Sequence, residues 1–381
     1  MQKPLCALLG SAPALARIEL ERVLGQTAEQ PNPHYCIFPE PPELDLAALQ
    51  DRLGGTVKLV TLERQCKDNS AEAVTESAVE YLESFGQPKI TFALGEWGRD
   101  HLPPISIFPI KEQLQAHGLK IRFLEDSRIG LSTALLSHRK VDEIIILSWQ
   151  ENTWLGHTRT VTKPDVWSRR DRGKPYADRK KGLLPPKVGR MMVNVAIGQT
   201  YDSAAGALYD PFCGSGTILM EARTLGLHTI GSDLDPDAIL GTRKNLEWQD
   251  SYEPDLTDSQ LQVADVTHAK WPSLPISWIV TEPFLGKLKP GTVELTNLFR
   301  GLHKLYWGAF RHWVNILQPN ADIVMVFPAV QSEKIRFSLK ELIDKLDTLG
   351  YTIVSGPWPY HRPDAVTERE IYHLRFEPHI K

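Results

Sequence analysis

Over residues 1–69 short apolar runs alternate with amphipathic stretches of helical period. "LCALLG", "HYCIFPE" and "TVKLVTLER" read as strands, while "ALARIELERVL", with Ser11 as its N-cap, and "LDLAALQDRLG" read as helices. This is the pattern of a small α+β module of split βαβ type. From about Ser70 the pattern restarts. "AEAVTESAVEYLESF" and "IKEQLQAHG" predict helices, and "KITFALG", "KIRFLED", "EIIILSWQ" and "TWLGHTRTV" predict strands, a second α+β module over 70–163.

After residue 190 strand and helix alternate strictly. Helix "PPKVGRMMVNVAIGQT" leads to "GALYD", "SGTILMEARTLG", "HTIGSDL", "DPDAILGTRKNLEWQ", "LQVADVT" and "ISWIVTEP". A long helical region follows from Thr296 to Leu317, then "ADIVMVFP", a helix "SEKIRFSLKELIDKLDTLG", "YTIVSGP" and "EREIYHLRFE". Such alternation predicts an α/β fold, a largely parallel sheet with helices on both faces. The last two strands, with no helix between them, form an antiparallel hairpin at one edge.

The chain has 381 residues and a composition of 42% hydrophobic and 24% charged residues, enough for several domains and a large core. Its four cysteines are scattered, without a CxxC pair, so neither a disulfide framework nor a zinc site is expected. A reducing, cytoplasmic setting fits, and neither the N-terminal stretch nor any apolar run suits a signal peptide or a membrane span. The net charge of −4 hides a local reversal: residues 167–190 hold nine Lys or Arg against two Asp. This basic stretch, 164–190, reads as a linker before a domain at 191–381, either as solvated surface or as a surface for polyanions.

The strongest chemical signal is "LYDPFCGSGTILMEA". A strand ends at Asp210, a turn carries Phe212, Cys213, Gly214 and Gly216, and a helix starts near Thr217, where open α/β sheets bind ligands. No lysine stands where a phosphate loop needs one, and Asp210 would repel a pyrophosphate, which disfavours a nicotinamide enzyme. An acidic strand tip suits a cationic ligand such as S-adenosyl-L-methionine, which carries a sulfonium and an ammonium. Asp233, followed by Leu234, ends the next strand, where a carboxylate accepts ribose hydroxyls. Asp265, followed by Val266, ends the third, where it can accept from an adenine amine. Cys213 has no base beside it and reads as a small turn residue.

"DPFCGSGTILMEA", "GSDLDPDAI", "ADV" and a later strand ending in a Pro-aromatic pair resemble class I S-adenosylmethionine-dependent methyltransferases that act on amines of RNA or DNA. With "KGLLPPKVGRMMVNVA" and the basic stretch before it, the chain looks like the THUMP-containing tRNA guanine-10 N2-methyltransferases. That resemblance implies a Rossmann-like, mostly parallel seven-stranded sheet with a terminal antiparallel hairpin, preceded by a ferredoxin-like module (1–69) and a THUMP-like RNA-binding module (70–163). It implies S-adenosyl-L-methionine as cofactor, with Asp210, Phe212, Cys213, Gly214, Gly216, Thr217, Asp233, Leu234, Asp265 and Val266 around it. It further implies a tRNA substrate, with a small activating protein as a candidate partner. Arg169, Arg170, Arg172, Lys174, Arg179, Lys180, Lys181 and Lys187 then become candidates for phosphate contacts.

The family's usual D-P-P-Y/F motif holds the target amine. Here the matching residues are Thr281, Glu282, Pro283 and Phe284: the proline and the aromatic ring stand, and the acid is displaced by one position. Three outcomes are open: Glu282 turns inward and replaces the acid, the Thr281 hydroxyl and backbone carbonyls act instead, or the site binds without turnover. A noncatalytic RNA-binding protein and an amino-methyltransferase for DNA adenine or a protein side chain are the competing classes. Arg362, Asp364 and Arg369 fall in the connection between the last two strands, which could close over the target nucleotide, with a solvated hairpin loop as the default.

Overall fold

The computed structural model describes residues 2–99, 104–177, 183–199, 206–253, 255–269, 274–286, 292–332, 335–361 and 366–378. It divides into two units, Met1–Val166 and Trp167–Lys381.

The first unit is built on strands β1 (Leu5–Leu9), β2 (Glu29–Asn32), β3 (Tyr35–Phe38), β4 (Thr56–Gln65), β5 (Lys89–Trp97), β6 (Lys120–Phe123), β7 (Asp142–Trp149) and β8 (Asn152–Val161). They form one eight-stranded sheet in the order β2-β3-β1-β4-β8-β7-β5-β6. The break expected at 69/70 is therefore bridged: β4 of the first expected module pairs antiparallel with β8 of the second, from Lys58 opposite Val161 to Gln65 opposite Trp154. Helices α1 (Pro13–Leu24), α2 (Leu46–Arg52), α3 (Ala71–Glu83), α4 (Ile107–Ala116) and α5 (Thr133–His138) complete it. Ser11 does not cap α1: Pro13 begins that helix, Ala12 takes the cap position, and no side chain bonds the first turn. Asp45, Ser70, Ser106 and Ser132 do cap α2 to α5. In the interior, Lys58 donates to both oxygens of Glu143 at 2.7 and 2.9 Å and to the Leu131 carbonyl at 2.8 Å, so this buried pair is fully bonded.

The second unit takes in most of α6 (Pro164–Arg172), then α7 (Pro186–Ile197), β9 (Ala207–Asp210), α8 (Thr217–Arg223), β10 (Thr229–Asp233), α9 (Pro236–Asp250), β11 (Ser259–Val263) and β12 (Ile276–Thr281). It continues with α10 (Thr292–Trp313), β13 (Leu317–Gln331), β14 (Arg336–Phe337), α11 (Lys340–Ile343), β15 (Tyr351–Tyr360) and β16 (Thr367–Phe376). The sheet runs β11-β10-β9-β12-β13-β16-β15, with β14 on β13. β9 to β13 pair in parallel, whereas β16 is antiparallel to both β13 and β15, the edge hairpin the sequence predicts.

Tyr306, Phe310 and Trp313 of α10 pack with Tyr209, Ile279 and Phe327 of the strands. A separate cluster joins Leu219 and Met220 of α8 to Ile239 and Leu246 of α9. The helix expected over 332–350 does not form as one piece. Phe337 is drawn to β13 and tilts onto Phe299 with ring centroids 5.7 Å apart, so among the described residues of this span only α11 and a 3-10 turn at Leu346–Leu349 are helical. Strand order reverses between β9 and β12, and a crevice opens at the carboxyl ends of that pair.

Candidate active site

β9 delivers Asp210 to the crevice floor, and the chain then turns sharply into α8. Gly214 has φ 52° and Gly216 φ 77°, backbone that side-chain-bearing residues avoid. A Cβ on Gly216 would lie 2.7 Å from the Thr242 methyl. The loop is braced from outside its own sequence. Thr242 donates to the Gly214 carbonyl (2.8 Å), and Asn245 donates to the carbonyls of Ser215 (2.8 Å) and Tyr176 (2.9 Å). Lys174 donates to the Thr217 hydroxyl at 2.9 Å.

The three strand-end acids line one cavity of about 590 Å³ together with Glu282, Pro283 and Phe284. Asp210 is buried and accepts from the Thr281 hydroxyl (2.7 Å) and the Phe212 N–H (3.2 Å). Burial pushes its carboxyl up to about 7; Asp233 and Glu282 add to the rise, and the two hydrogen bonds oppose it. Asp233 accepts from the N–H groups of Gly214 (2.9 Å) and Asp235 (3.0 Å). Asp265 accepts from the Thr267 hydroxyl (2.7 Å) and N–H (2.8 Å), which hold it below the usual carboxylate range. Leu234 is 71% exposed at the cavity edge, whereas Val266 is buried. Burial raises the Cys213 thiol well above its ordinary value, so it stays protonated and serves the turn.

The motif at the end of β12 divides its labour. Thr281 is buried and turned to Asp210. Glu282 lines the cavity and is ion-paired with Arg369 Nε. Phe284 is 55% exposed, and its carbonyl accepts from the Tyr306 hydroxyl at 2.8 Å, so the ring's backbone is tied to α10. The displaced acid therefore faces the cavity that Asp210, Asp233 and Asp265 share. Arg369 is not in a loop: it lies on β16, opposite Pro328 of β13 and Tyr360 of β15. Arg362 and Asp364 lie outside the described residues, as do Arg179, Lys180 and Lys181.

The basic stretch separates into two groups. Arg169 and Arg172 are exposed, Arg169 resting over the Tyr252 ring at 5.2 Å. Lys187 is half-buried, its ammonium 5.5 Å from the Trp167 ring. Arg170 and Lys174 correct the expected phosphate contacts, because both are buried. Arg170 meets Glu221 (3.1 Å) and Glu253 (2.7 Å), with Arg190 also on Glu221 (2.8 Å). Glu221 lies inside α8 and needs these cations to be buried at all. Lys174 serves the cofactor-type loop instead. Sequence reading missed Tyr176, Thr242 and Asn245 and placed Arg369 in the hairpin connection; Tyr176 and Asn245, 69 residues apart, carry no local signal of their mutual bonds.

Residues 176–331 match the UPF0020 family, described as an RMKL-like, methyltransferase domain. A tRNA (guanine(10)-N2)-dimethyltransferase of Pyrococcus abyssi is 26% identical over 225 residues, 56% of this chain and 57% of that protein. The chain thus spans little more than half the length of that relative. A probable tRNA (guanine(10)-N2)-dimethyltransferase of Methanothermococcus thermolithotrophicus is 32% identical over 101 residues, 25% of this chain and 60% of that protein. The crystal structure of TrmN from Thermus thermophilus superposes with a TM-score of 0.53 over 98% of this chain and 99% of that one, at 19% identity, a likeness of fold. Residues 176–331 are thus similar to an RMKL-like methyltransferase domain, and the second unit shares the class I methyltransferase fold.

Proposed function

We propose that the protein is an S-adenosyl-L-methionine-dependent methyltransferase acting on the N2 amine of a guanine in tRNA, with position 10 as the site by family. The observation that carries this reading is a single cavity in which Asp210, Asp233 and Asp265 meet Glu282, Pro283 and Phe284. The residues fit the cofactor. Asp210, buried and with no ion pair among the described residues, suits a ligand bearing positive charge, and Gly214, with only the Phe212 carbonyl near its open side among the described residues, admits close approach. Asp233 would take ribose hydroxyls and Asp265 the adenine amine. When bound, S-adenosyl-L-methionine supplies an electrophilic methyl group whose C–S electron pair stays on sulfur.

The N2 lone pair of guanine is delocalised into the ring. Glu282, held by Arg369, accepts an N–H of that amine and so favours a pyramidal nitrogen; as the N–C bond forms, the proton lost from nitrogen passes to Glu282. Phe284, exposed at the rim, stacks the base out of its helix. Pro283 fixes the turn between them. Residues 70–163 serve as a THUMP-like RNA grip, joined by Arg169, Arg172 and Lys187 as phosphate contacts. Among the described residues no helix is long and apolar enough to cross a membrane, and the reading includes a cytoplasmic location.

Incubation with tRNA and labelled cofactor, followed by digestion to nucleosides, is expected to yield N2-methylguanosine. Absence of that nucleoside, with and without added extract of the source cells to supply an activating protein, sinks the proposal. Tight binding of cofactor and tRNA without turnover would instead favour a noncatalytic protein.

A further inference from the structure

Glu282 and Arg369 are a matched pair facing the same cavity as Phe284. Arg369 is only 6% exposed and sits over the Tyr360 ring, its guanidinium carbon 6.0 Å from the centroid. It meets Glu282 Oε1 through Nε, and among the described residues this is its one ion pair. The side-on contact leaves Glu282 Oε2 as an acceptor and the terminal nitrogens of the fork as donors at the cavity wall. Strand pairing holds the pair in place, since Arg369 is in register with both Pro328 and Tyr360.

A purine turned out of its stack presents its Watson–Crick edge to such a wall. Guanine offers one acceptor, O6, beside two donors, N1–H and N2–H. Adenine offers a donor at C6 and an acceptor at N1, the reverse order. A carboxylate beside a guanidinium complements guanine and opposes adenine at both places, donor against donor and acceptor against acceptor. We infer that the Glu282–Arg369 pair reads the Watson–Crick edge of the target base and selects guanine over adenine, Glu282 taking N1–H and N2–H and Arg369 taking O6. The inference rests on the reading of the cavity as an RNA amine-methylation site. It gives the displaced acid a purpose: one residue along from Thr281, the carboxylate gains an arginine partner from β16.

The test uses an RNA substrate in which the mapped target guanosine is replaced by 2,6-diaminopurine, which keeps the 2-amine but has an amine in place of O6 and no N1–H. The protein is expected to prefer guanosine by at least about a hundredfold in kcat/KM. Arg369→Gln should lower that ratio about tenfold or more, and Arg369→Lys, which keeps charge without the fork, should lower it less. Thermal melting checks that both variants fold; if the Gln variant does not, the Lys variant carries the comparison. Rates on the two substrates that fall together, with their ratio intact, would overturn the inference and leave Arg369 a structural residue. Where the wild-type protein methylates neither RNA, the methylation reading fails on its own, and competition between guanosine and 2,6-diaminopurine monophosphates for the protein saturated with S-adenosyl-L-homocysteine decides the pair's role. Tighter guanine binding erased by Arg369→Gln supports it, and equal binding overturns it.

Discussion

The two walls of the cavity are made in different ways. On the cofactor-type wall Asp233, at the end of β10, and Asp265, just past β11, are bonded to backbone N–H groups or hydroxyls within their own turn or the turn beside it, as Asp265 is by Thr267 and Asp233 by Asp235; Asp210, at the end of β9, accepts from Thr281 of β12 as well. On the base-type wall the acid is oriented by a residue 87 positions away, Arg369 on Glu282. A wall built from local turns can be transferred between sequences with its spacing intact. A wall built from one long-range ion pair can shift its acid by a residue, provided that a partner strand supplies the matching cation. On the proposed reading, the odd letters of "VTEPFLG" are a relocation of the acceptor, with Thr281 turned to Asp210.

Variants that touch one wall should leave the other nearly unchanged, and the largest effect is expected at Glu282. Glu282→Ala removes the amine's acceptor and should cut kcat by about 100- to 1000-fold, in the range of a general base or a positioned transition-state acceptor. Cofactor affinity should change less than about twofold, since no cofactor contact is lost. A kcat within about threefold of wild type would show that backbone carbonyls suffice and that the relocated acid is incidental. Next is Asp233→Ala, which should weaken cofactor binding by about a hundredfold, the loss of two charge-assisted bonds, with little effect on tRNA affinity. Calorimetry showing less than about a fivefold change would remove Asp233 from the cofactor wall. Smaller again is Phe284→Leu: an exposed ring costs little stability to replace, but the loss of stacking should raise KM for tRNA about tenfold. An unchanged KM would place the base elsewhere.

The difference between the walls also explains what could be read in the sequence. Glycine spacing and strand-end acids are local, so Asp210, Gly214, Gly216, Asp233 and Asp265 are visible in the sequence, and the structure brings all of these but Gly216 to the wall of one cavity with Glu282, Pro283 and Phe284. The alternation after residue 190 likewise predicts the parallel sheet and its terminal hairpin. Long-range pairing is where reading fails. Nothing near Arg369 announces Glu282, and a run of basic residues does not disclose that Arg170 and Lys174 turn inward to Glu221 and Thr217. The buried Glu221 and the Thr217 hydroxyl of α8 decide that, and their need for partners appears only once the helices are packed. In the first unit, two modules that look separate in sequence share a sheet because β4 and β8 meet, a pairing that spans nearly 100 residues. The helix expected over 332–350 is lost for a related reason, as pairing with β13 overrides the helical period at Arg336–Phe337.

The smallest expected effect bears on the one residue that touches both walls. Asp210 is bonded to Thr281 of the base wall and lies at the root of the cofactor loop, and burial sets its carboxyl at about 7 in the free protein, well above the unfolded value of about 4. In this direction the folded protein holds a proton that the unfolded chain has released. Asp210 therefore withdraws stability as pH rises from about 4 to about 7, and the loss is complete above that window. A cationic ligand reverses the balance by favouring the carboxylate, so binding below about pH 7 must release a proton. Cofactor affinity should accordingly rise about tenfold between roughly pH 6 and pH 8, and calorimetry in buffers of different ionisation enthalpy should count close to one proton released at about pH 6. Asp210→Asn keeps an oxygen for the Thr281 hydroxyl and has nothing to titrate, so it should flatten the profile at a uniformly lower affinity. A wild-type profile as flat as that of the Asn variant would mean that Asp210 enters the free site already ionised, so that cofactor binding releases no proton from it.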